Sequence, residues 1–369
     1  MKVVLTGNTT FKIANFREGL IKRLIHEGCT VYVLSPQDEY VSDIEKLGCI
    51  HVPIKISRSG TSPIAELKVL IKIFRVVRSI KPNVVLSYTI KNNIYIGLAC
   101  SAYNTPFIPN ITGLGPAFNG KGPFQIMIKC IYRAALLRAK TVFVQNTSDQ
   151  SIIIKSKIAT REQVKLLPGS GVDLDRYKYT TLRTGKSETI FILIARLLWD
   201  KGVKEYVNAA KTLKKMYPTS QFRILGPLDE DSKGSVGQRQ LDQWLADGDI
   251  DYLGAQKEVY PFIQEADCVV LPSFYNEGTP RALLEAAATG RPVITTDMPG
   301  CRDVVLNQKS GYLVEPRSEA SLVAAMKSFM ELSNYERKLM SRESRKHVEE
   351  KYDEKHVINS YMLEIGTLK

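Results

Sequence analysis

Residues Pro272–Asp297 read PSFYNEGTPRALLEAAATGRPVITTD. The apolar run leading into them, Cys268 to Leu271, and Val293 with Ile294 near their end have the composition of buried parallel strands with a helix between. Thr279 is a natural N-cap and Pro280 a natural first helical residue, which places Glu277 and Gly278 on the loop before the helix and Glu285 inside it. A βαβ unit of this kind sets its loop at the carboxyl end of a strand, where open α/β sheets bind ligands. Helix N-termini favour anions, so a phosphate-bearing ligand is expected.

Outward from this unit, the chain reads as two α/β halves. Apolar strands at Val3–Thr6, Val31–Ser35, Val84–Tyr88, Phe107–Ile111 and Val142–Gln145 alternate with helical segments starting near Phe16, Val41, Ile64, Ile94 and Pro123, a pattern that means a parallel sheet. The stretch Leu166–Tyr177 and the polar TTLRTGKSE after it break the periodicity and read as a linker. A second strand set follows at Ile190–Ala195, Phe222–Leu225, Asp251–Leu253, Val269–Leu271 and Val293–Thr296. The expected domains are therefore 1–170 and 187–350, with a tail, 351–369, whose apolar stripe of Val357, Tyr361, Met362 and Ile365 must dock on a surface.

With 369 residues, 44% of them hydrophobic, the chain can bury two cores. Its six cysteines are scattered, with no CxxC pair and no His cluster beside them, so they read as reduced thiols of a cytosolic protein rather than a zinc site or a disulfide framework. Met1-Lys2 runs directly into the strand-like VVLTG, which does not read as a signal peptide. No uncharged run approaches the roughly 18–20 residues of a membrane span.

The charge is uneven. Residues 1–150 hold 19 Lys and Arg against 8 Asp and Glu, a net of +11 out of the chain's +13. Within Ile64–Lys81, Lys68, Lys72, Arg75 and Arg78 recur every three or four residues, opposite Leu67, Leu70, Ile71 and Phe74. Phe124–Lys140 repeats the pattern with Lys129, Arg133 and Arg138. Both helices can be packed elements with a solvated basic face, or they can dock on an anionic membrane surface, where each basic residue contributes on the order of 1 kcal/mol. A nucleic-acid partner is not expected, because no recognition motif or aromatic interleaving accompanies the charge.

Further features gather in the second half. In IARLLWDKGVKE a strand ends at Arg196 and a helix begins beyond Lys201, so an Arg and a Lys stand at the mouth of the crevice that holds Glu277. Together they can neutralise a diphosphate; the plain alternative is a surface salt bridge. ILGP, with Gly226, and DYLGA, with Gly254, each close a strand on a glycine turn.

Arg196 with Lys201, the ILGP and DYLGA turns, and Glu277-Gly278-Thr279-Pro280 with Glu285, Ala286, Gly290 and Pro292, flanked by LPSF, PVITTD and GYLVEP, together resemble the retaining glycosyltransferases of family 4 over nearly the whole chain. The resemblance implies the GT-B arrangement, two Rossmann-like domains facing a central cleft, with the tail helix crossing back onto the N-terminal domain. It also implies site residues. Glu285 would hold the nucleotide ribose, Glu277 the donor sugar near its reacting carbon, and Arg196 and Lys201 the departing diphosphate, where electrostatic stabilisation supplies most of the acceleration. Gly278, Thr279, Pro280, Arg281, Gly226, Gly254 and Gly7 would complete the nucleotide-sugar site. Thr112 and Gly113, Lys91, Asn93, Arg58 and Arg17 are the candidate acceptor contacts. No metal and no cofactor are expected, since Arg and Lys take the metal's place and no DxD-type pair stands at a strand end. Several family members carry a His near Asn110–Thr112; this chain has none there, so no general base is assigned.

Ser35–Tyr40, SRSGTSP, the TGLG loop, ARLLWDKGVKE and PGCRD resemble more closely the bacterial transferases that extend sugars on polyprenyl-diphosphate carriers, including those adding α-1,3-linked N-acetylgalactosamine in N-glycan and O-antigen assembly. That implies a UDP-sugar donor, UDP-GalNAc before UDP-GlcNAc, UDP-Gal or GDP-mannose, and a polyprenyl-diphosphate-linked saccharide acceptor. The place of action would be the inner face of the cytoplasmic membrane. Two other classes remain, a sugar-nucleotide epimerase of similar fold and a catalytically silent membrane scaffold. The first needs acid–base groups that four histidines, His26, His51, His347 and His356, scarcely supply; turnover of any nucleotide sugar excludes the second.

Overall fold

The computed structural model describes residues 1–54, 56, 62–115, 118, 122–183, 188–230, 232 and 234–368. These form two compact units, Met1–Gly171 with Glu354–Lys369, and Val172–Asp353. In the first, β1 (Lys2–Thr6), β2 (Thr30–Ser35), β3 (Ile50–Pro53), β4 (Val84–Tyr88), β5 (Phe107–Ile111), β6 (Val142–Val144) and β7 (Val164–Leu166) make one sheet in the order β3-β2-β1-β4-β5-β6-β7, every pair parallel. Its central strands are apolar on both faces because helices cover both sides. Val4, Val85, Ile96, Phe107 and Tyr132 pack on one face, and Val3, Leu5, Val33, Leu86 and Phe143 on the other.

The C-terminal helix Glu354–Gly366 completes that second face. Val357, Tyr361 and Ile365 join its core, with Met362 half-buried beside them. The Asn110 amide donates to the Tyr361 hydroxyl at 2.9 Å, and Glu364 pairs with Lys165 at 2.5 Å.

The basic helix lies over Pro63–Ile80, but its packing face differs from the expected one. Ile73 and Val77 are buried, whereas Leu67 is 56% and Ile71 41% exposed. At roughly 100° per residue, Ile64, Leu67 and Ile71 fall on the far side from Ile73, among Lys68, Arg75 and Arg78. A sheet contact centred on Ile73 therefore leaves a face that is basic and apolar together. The helix Pro123–Leu136 repeats the arrangement, burying Tyr132, Ala135 and Leu136 while Ile126, Met127, Ile131 and Arg133 stay exposed. Among the described residues, no helix is long and apolar enough to cross a membrane.

The second unit holds β8 (Ile190–Ile194), β9 (Gln221–Leu225), β10 (Asp251–Tyr252), β11 (Cys268–Leu271), β12 (Val293–Thr296) and β13 (Gly311–Val314), in the order β10-β9-β8-β11-β12-β13, again all parallel. Residues 172–183, read from sequence as linker, pack on this unit. Val172 and Tyr177 are buried in its core, and Arg291, 1% exposed, ties Thr180 down. The Arg291 guanidinium donates to the carbonyls of Ile263, Gln264 and Thr180 and to the Thr180 hydroxyl, at 2.6–3.0 Å. Burial still lowers its pKa to about 10.

Candidate active site

In a doubly wound sheet, the crevice opens where the strand order reverses. In the second unit that point lies between β8 and β11, and the loops leaving these two strands bring the expected residues together. After β8, a single 3-10 turn, Trp199–Lys201, aims Lys201 at Glu277 from the loop after β11, and the ammonium donates to Glu277 Oε1. Both side chains are about 15% exposed, at 14% and 15%. Ser273 Oγ donates to the same carboxylate oxygen at 3.2 Å, and the ammonium stands 5.1 Å from the Tyr275 ring centroid.

The two loops are braced through main chain: the Asp200 carbonyl accepts the Phe274 N–H at 2.9 Å and the Ser273 hydroxyl at 3.2 Å. Burial pushes the Asp200 carboxyl above the ordinary range; Glu277 adds to the push, while Lys201 and Arg196 oppose it. Its Oδ1 has no hydrogen-bond partner among the described residues. Arg196 is more open and pairs with Asp229 at 3.0 Å.

The helix Arg281–Ala288 begins one residue later than the sequence suggests. Pro280, not Thr279, occupies the cap, and its carbonyl receives the first turn's N–H from Leu283 at 3.2 Å. Proline has no N–H to lose at this position, so either register is compatible with it. Glu285 lies inside the helix, 7% exposed, and accepts Arg281 Nε at 2.9 Å. Beside it stands Tyr177, whose hydroxyl is pushed well up by burial first and by the Glu285 charge next. Tyr177, Ser273 and Asp200 carried no recognisable signal, because each depends on a neighbour distant in sequence.

Gly226 and Gly254 meet, the Gly226 N–H donating to the Gly254 carbonyl at 2.9 Å. Gly226 has φ +150°, and a Cβ there would strike the Ala195 carbonyl, so the β8 and β9 loops approach only because the side chain is missing. Gly300 does the same for the loop after β11. At φ +81°, its missing Cβ would press on the Gly278 carbonyl and lie 2.7 Å from that of Glu277. Gly300→Ala is expected to shift this loop at a cost of about 1–3 kcal/mol, a fall in Tm that differential scanning calorimetry would read.

The first unit's candidates separate. Gly7 follows β1, and Thr112 and Gly113 follow β5, all three only part-exposed. Lys91 pairs with Glu66 at 2.7 Å. Asn93 is corrected as an acceptor contact: it is 0% exposed, and its amide donates to the Asn110 carbonyl and the Tyr132 hydroxyl at 3.2 and 3.1 Å. Arg17 is likewise corrected: it is 5% exposed and stacks on Tyr88 with its guanidinium 4.3 Å from the ring centroid. Packing uses the Asn93 NH2 group and the Arg17 guanidinium, while Asn93 Oδ1 has no hydrogen-bond partner among the described residues. Arg58 lies outside the described residues.

The loop carrying Thr112 and Gly113 is anchored by a residue the sequence did not flag. Asp149, 4% exposed, accepts the Leu114 N–H and, at 3.1 Å, the Asn146 amide. Burial raises its pKa from 3.8 to about 6. The folded state thus holds a proton that the unfolded chain releases, a contribution fully present below pH 3.8 and lost as pH rises through 6. Near neutrality this costs about 3 kcal/mol. Asp149→Asn is therefore expected to gain thermal stability over the parent between about pH 4 and 7, with no further gain above. A Tm difference independent of pH would contradict it. Among the described residues, no group of three or more His, Cys, Asp and Glu could hold a metal ion.

Two doubly wound parallel sheets in one chain, the second with cations and carboxylates converging at its switch point, define a two-domain α/β transferase of the GT-B type. Residues 181–347 match the family described as "Glycosyl transferases group 1" and residues 3–146 that described as "Glycosyl transferase 4-like"; the chain belongs to these glycosyltransferases and is a hexosyltransferase. It is 26% identical, over 87% of either chain, to the N,N'-diacetylbacillosaminyl-diphospho-undecaprenol alpha-1,3-N-acetylgalactosaminyltransferase of Campylobacter jejuni. It is 26% identical over 72% of its length, and 70% of the relative's, to the UDP-Gal:alpha-D-GlcNAc-diphosphoundecaprenol alpha-1,3-galactosyltransferase of Escherichia coli. The fold matches Alr3699/HepE of Anabaena, solved in complex with UDP, with TM-score 0.77 over 100% of both chains at 16% identity.

Proposed function

We propose that this hexosyltransferase moves a hexose or N-acetylhexosamine, N-acetylgalactosamine in α-1,3 linkage first, from a UDP-sugar to a polyprenyl-diphosphate-linked saccharide, with retention at the anomeric carbon. The observation that carries the reading is the Lys201–Glu277 pair between β8 and β11, with Arg196 past the same strand end as Lys201 and the Glu285–Arg281 pair in the helix that follows Glu277. This is the charge pattern that a nucleoside diphosphate sugar requires. Both relatives described above are named for a diphospho-undecaprenol-linked acceptor and an α-1,3 linkage, which supports the choice of acceptor.

In this reading Glu285 accepts the ribose hydroxyls, and Arg196 and Lys201 contact the diphosphate oxygens, Lys201 exchanging its present carboxylate partner for phosphate. The acceptor hydroxyl oxygen bonds to the anomeric carbon on the face from which UDP departs, and the C1–O bond breaks with its electron pair going to the β-phosphate. The hydroxyl proton passes to a β-phosphate oxygen on that same face. No protein nucleophile forms a glycosyl bond, which separates this route from the two-carboxylate scheme of retaining glycosidases. Glu277 positions the donor sugar and opposes the positive charge developing at its ring. The two cations supply the charge stabilisation, so the route requires no metal.

Purified protein, a panel of labelled UDP- and GDP-sugars and lipid-linked saccharides, with label followed into the organic phase, test this directly. Transfer from one UDP-sugar is the expected result, and transfer from GDP-mannose alone would overturn the donor assignment. The mixed basic and apolar faces of Pro63–Ile80 and Pro123–Leu136 fit a peripheral position on an anionic leaflet. Replacing Lys68, Lys72, Arg75 and Arg78 with Ser is expected to release the protein from anionic vesicles in a flotation assay. Unchanged flotation would return these helices to ordinary packing.

A further inference from the structure

Both tryptophans of the chain, Trp199 and Trp244, meet edge to face at 5.9 Å in the second unit. They line a cavity of about 540 Å³ on the side of helices Val203–Met216 and Gln238–Ala246. Its Trp199 belongs to the turn that carries Lys201 and its Phe274 to the loop that carries Glu277, but neither Lys201 nor Glu277 lines it. A third ring, Phe274, completes the aromatic wall, and the Arg317 guanidinium lies 4.5 Å from its centroid. Arg317 holds that position with φ +61°, a left-handed conformation that few non-glycine residues adopt and that the surroundings must stabilise.

The rest of the lining is polar and flat-headed: Asn208, Gln240 and Glu205. The Asn208 amide is held by Glu319 at 2.9 Å. Glu205 Oε2 is buried and has no hydrogen-bond partner among the described residues, so the cavity contains an acceptor in need of a donor. That requirement separates the candidate ligands. A phosphate dianion brings no donor and would set its charge against the carboxylate, although Lys204 and Arg317 line the same cavity. A purely apolar segment would leave the carboxylate oxygen unsatisfied. A pyranose supplies what is missing, with an apolar C–H face for the rings and hydroxyls that donate to Glu205 and pair with the planar amides.

We propose that this cavity is a second saccharide-binding site, separate from the crevice of Glu277 and Glu285, which takes one or two neutral hexose or N-acetylhexosamine rings. It rests on the cavity's own chemistry and does not require the donor to be a UDP-sugar. The test uses the full chain with UDP present to fill the crevice, UDP affinity being measured separately. Methyl α-glycosides of galactose, N-acetylgalactosamine, N-acetylglucosamine and glucose, and their α-1,3-linked disaccharides, are titrated while tryptophan emission and saturation-transfer NMR are recorded. Both of the chain's tryptophans line the cavity, and because Trp199 also belongs to the turn that carries Lys201, the Asn208→Ala/Gln240→Ala variant is what separates the cavity from the crevice in the emission signal. At least one probe is expected to give a saturable emission change with a millimolar Kd. Asn208→Ala combined with Gln240→Ala, both on helix surfaces, is expected to weaken it by about tenfold or more with the circular dichroism unchanged. No saturable change and no saturation transfer from any probe, or equal affinity in the double variant, would overturn the proposal.

Discussion

Glu277→Gln is expected to lower kcat for sugar transfer by about 10²–10³-fold while UDP binds nearly as before, whereas Glu285→Gln should raise the Kd for UDP and leave much of kcat at saturating donor. The difference follows from where each carboxylate stands. Glu277 is on the loop after β11, facing Lys201 and held by Ser273, where a sugar ring would lie; Glu285 is one helical turn deeper, against Arg281 and Tyr177. The glutamine variants keep side-chain volume and an acceptor for Ser273 or Arg281, which limits folding losses. Calorimetry with UDP beside steady-state kinetics reads both quantities, and an equal loss of UDP affinity in the two variants would remove the division of roles.

The largest stability effect is expected at Arg291. Replacing it with Met should cost about 3–5 kcal/mol, enough to lower the melting temperature of the second unit by many degrees. The side chain is 1% exposed, and its guanidinium satisfies the carbonyls of Gln264 and Thr180, which methionine would leave without a donor, and shares that of Ile263 with the Ala266 N–H. Arg291→Lys should recover only part of the loss, because one ammonium cannot reach acceptors spread around a planar fork. Differential scanning calorimetry on both variants checks the order, and a lysine variant as stable as the parent would contradict it.

How much of this was legible in the sequence depended on burial. Strands β4, β5 and β12 read with their full bounds because continuous apolar runs flanked by turn residues mark central strands. Of the edge strands, β10 reads to within one residue, but three do not: β3 is half-exposed and ends in proline, β7 is three residues long, and β13 shows only as part of GYLVEP. The site behaved in the same way. Arg196 and Lys201 stand past the end of β8 and Glu277 on the loop past β11, ends that local patterning locates, so the approach of Lys201 to Glu277 was foreseeable. Asn93 and Arg17 follow strand ends or begin helices too, yet tertiary packing took their polar groups inward, toward Tyr132 and Tyr88. The same limit hid the packed face of Pro63–Ile80, since a helix with apolar residues on nearly every side can choose its buried stripe only when a sheet is present. Asp149, Tyr177 and Gly300 act through main chain or carboxylates far away in sequence, which no local window contains.

The tail helix Glu354–Gly366 gives the chain an unusual order of completion. One face of the first sheet lacks Val357, Tyr361 and Ile365 until synthesis has passed residue 365, whereas Val172–Asp353 is a single uninterrupted segment that is finished earlier. Of the two units, the one begun first is therefore the one that closes last. Until then its unfinished apolar face is a place for chaperones to hold, and a truncation before residue 357 is felt most by a sheet whose strands lie far away in the sequence.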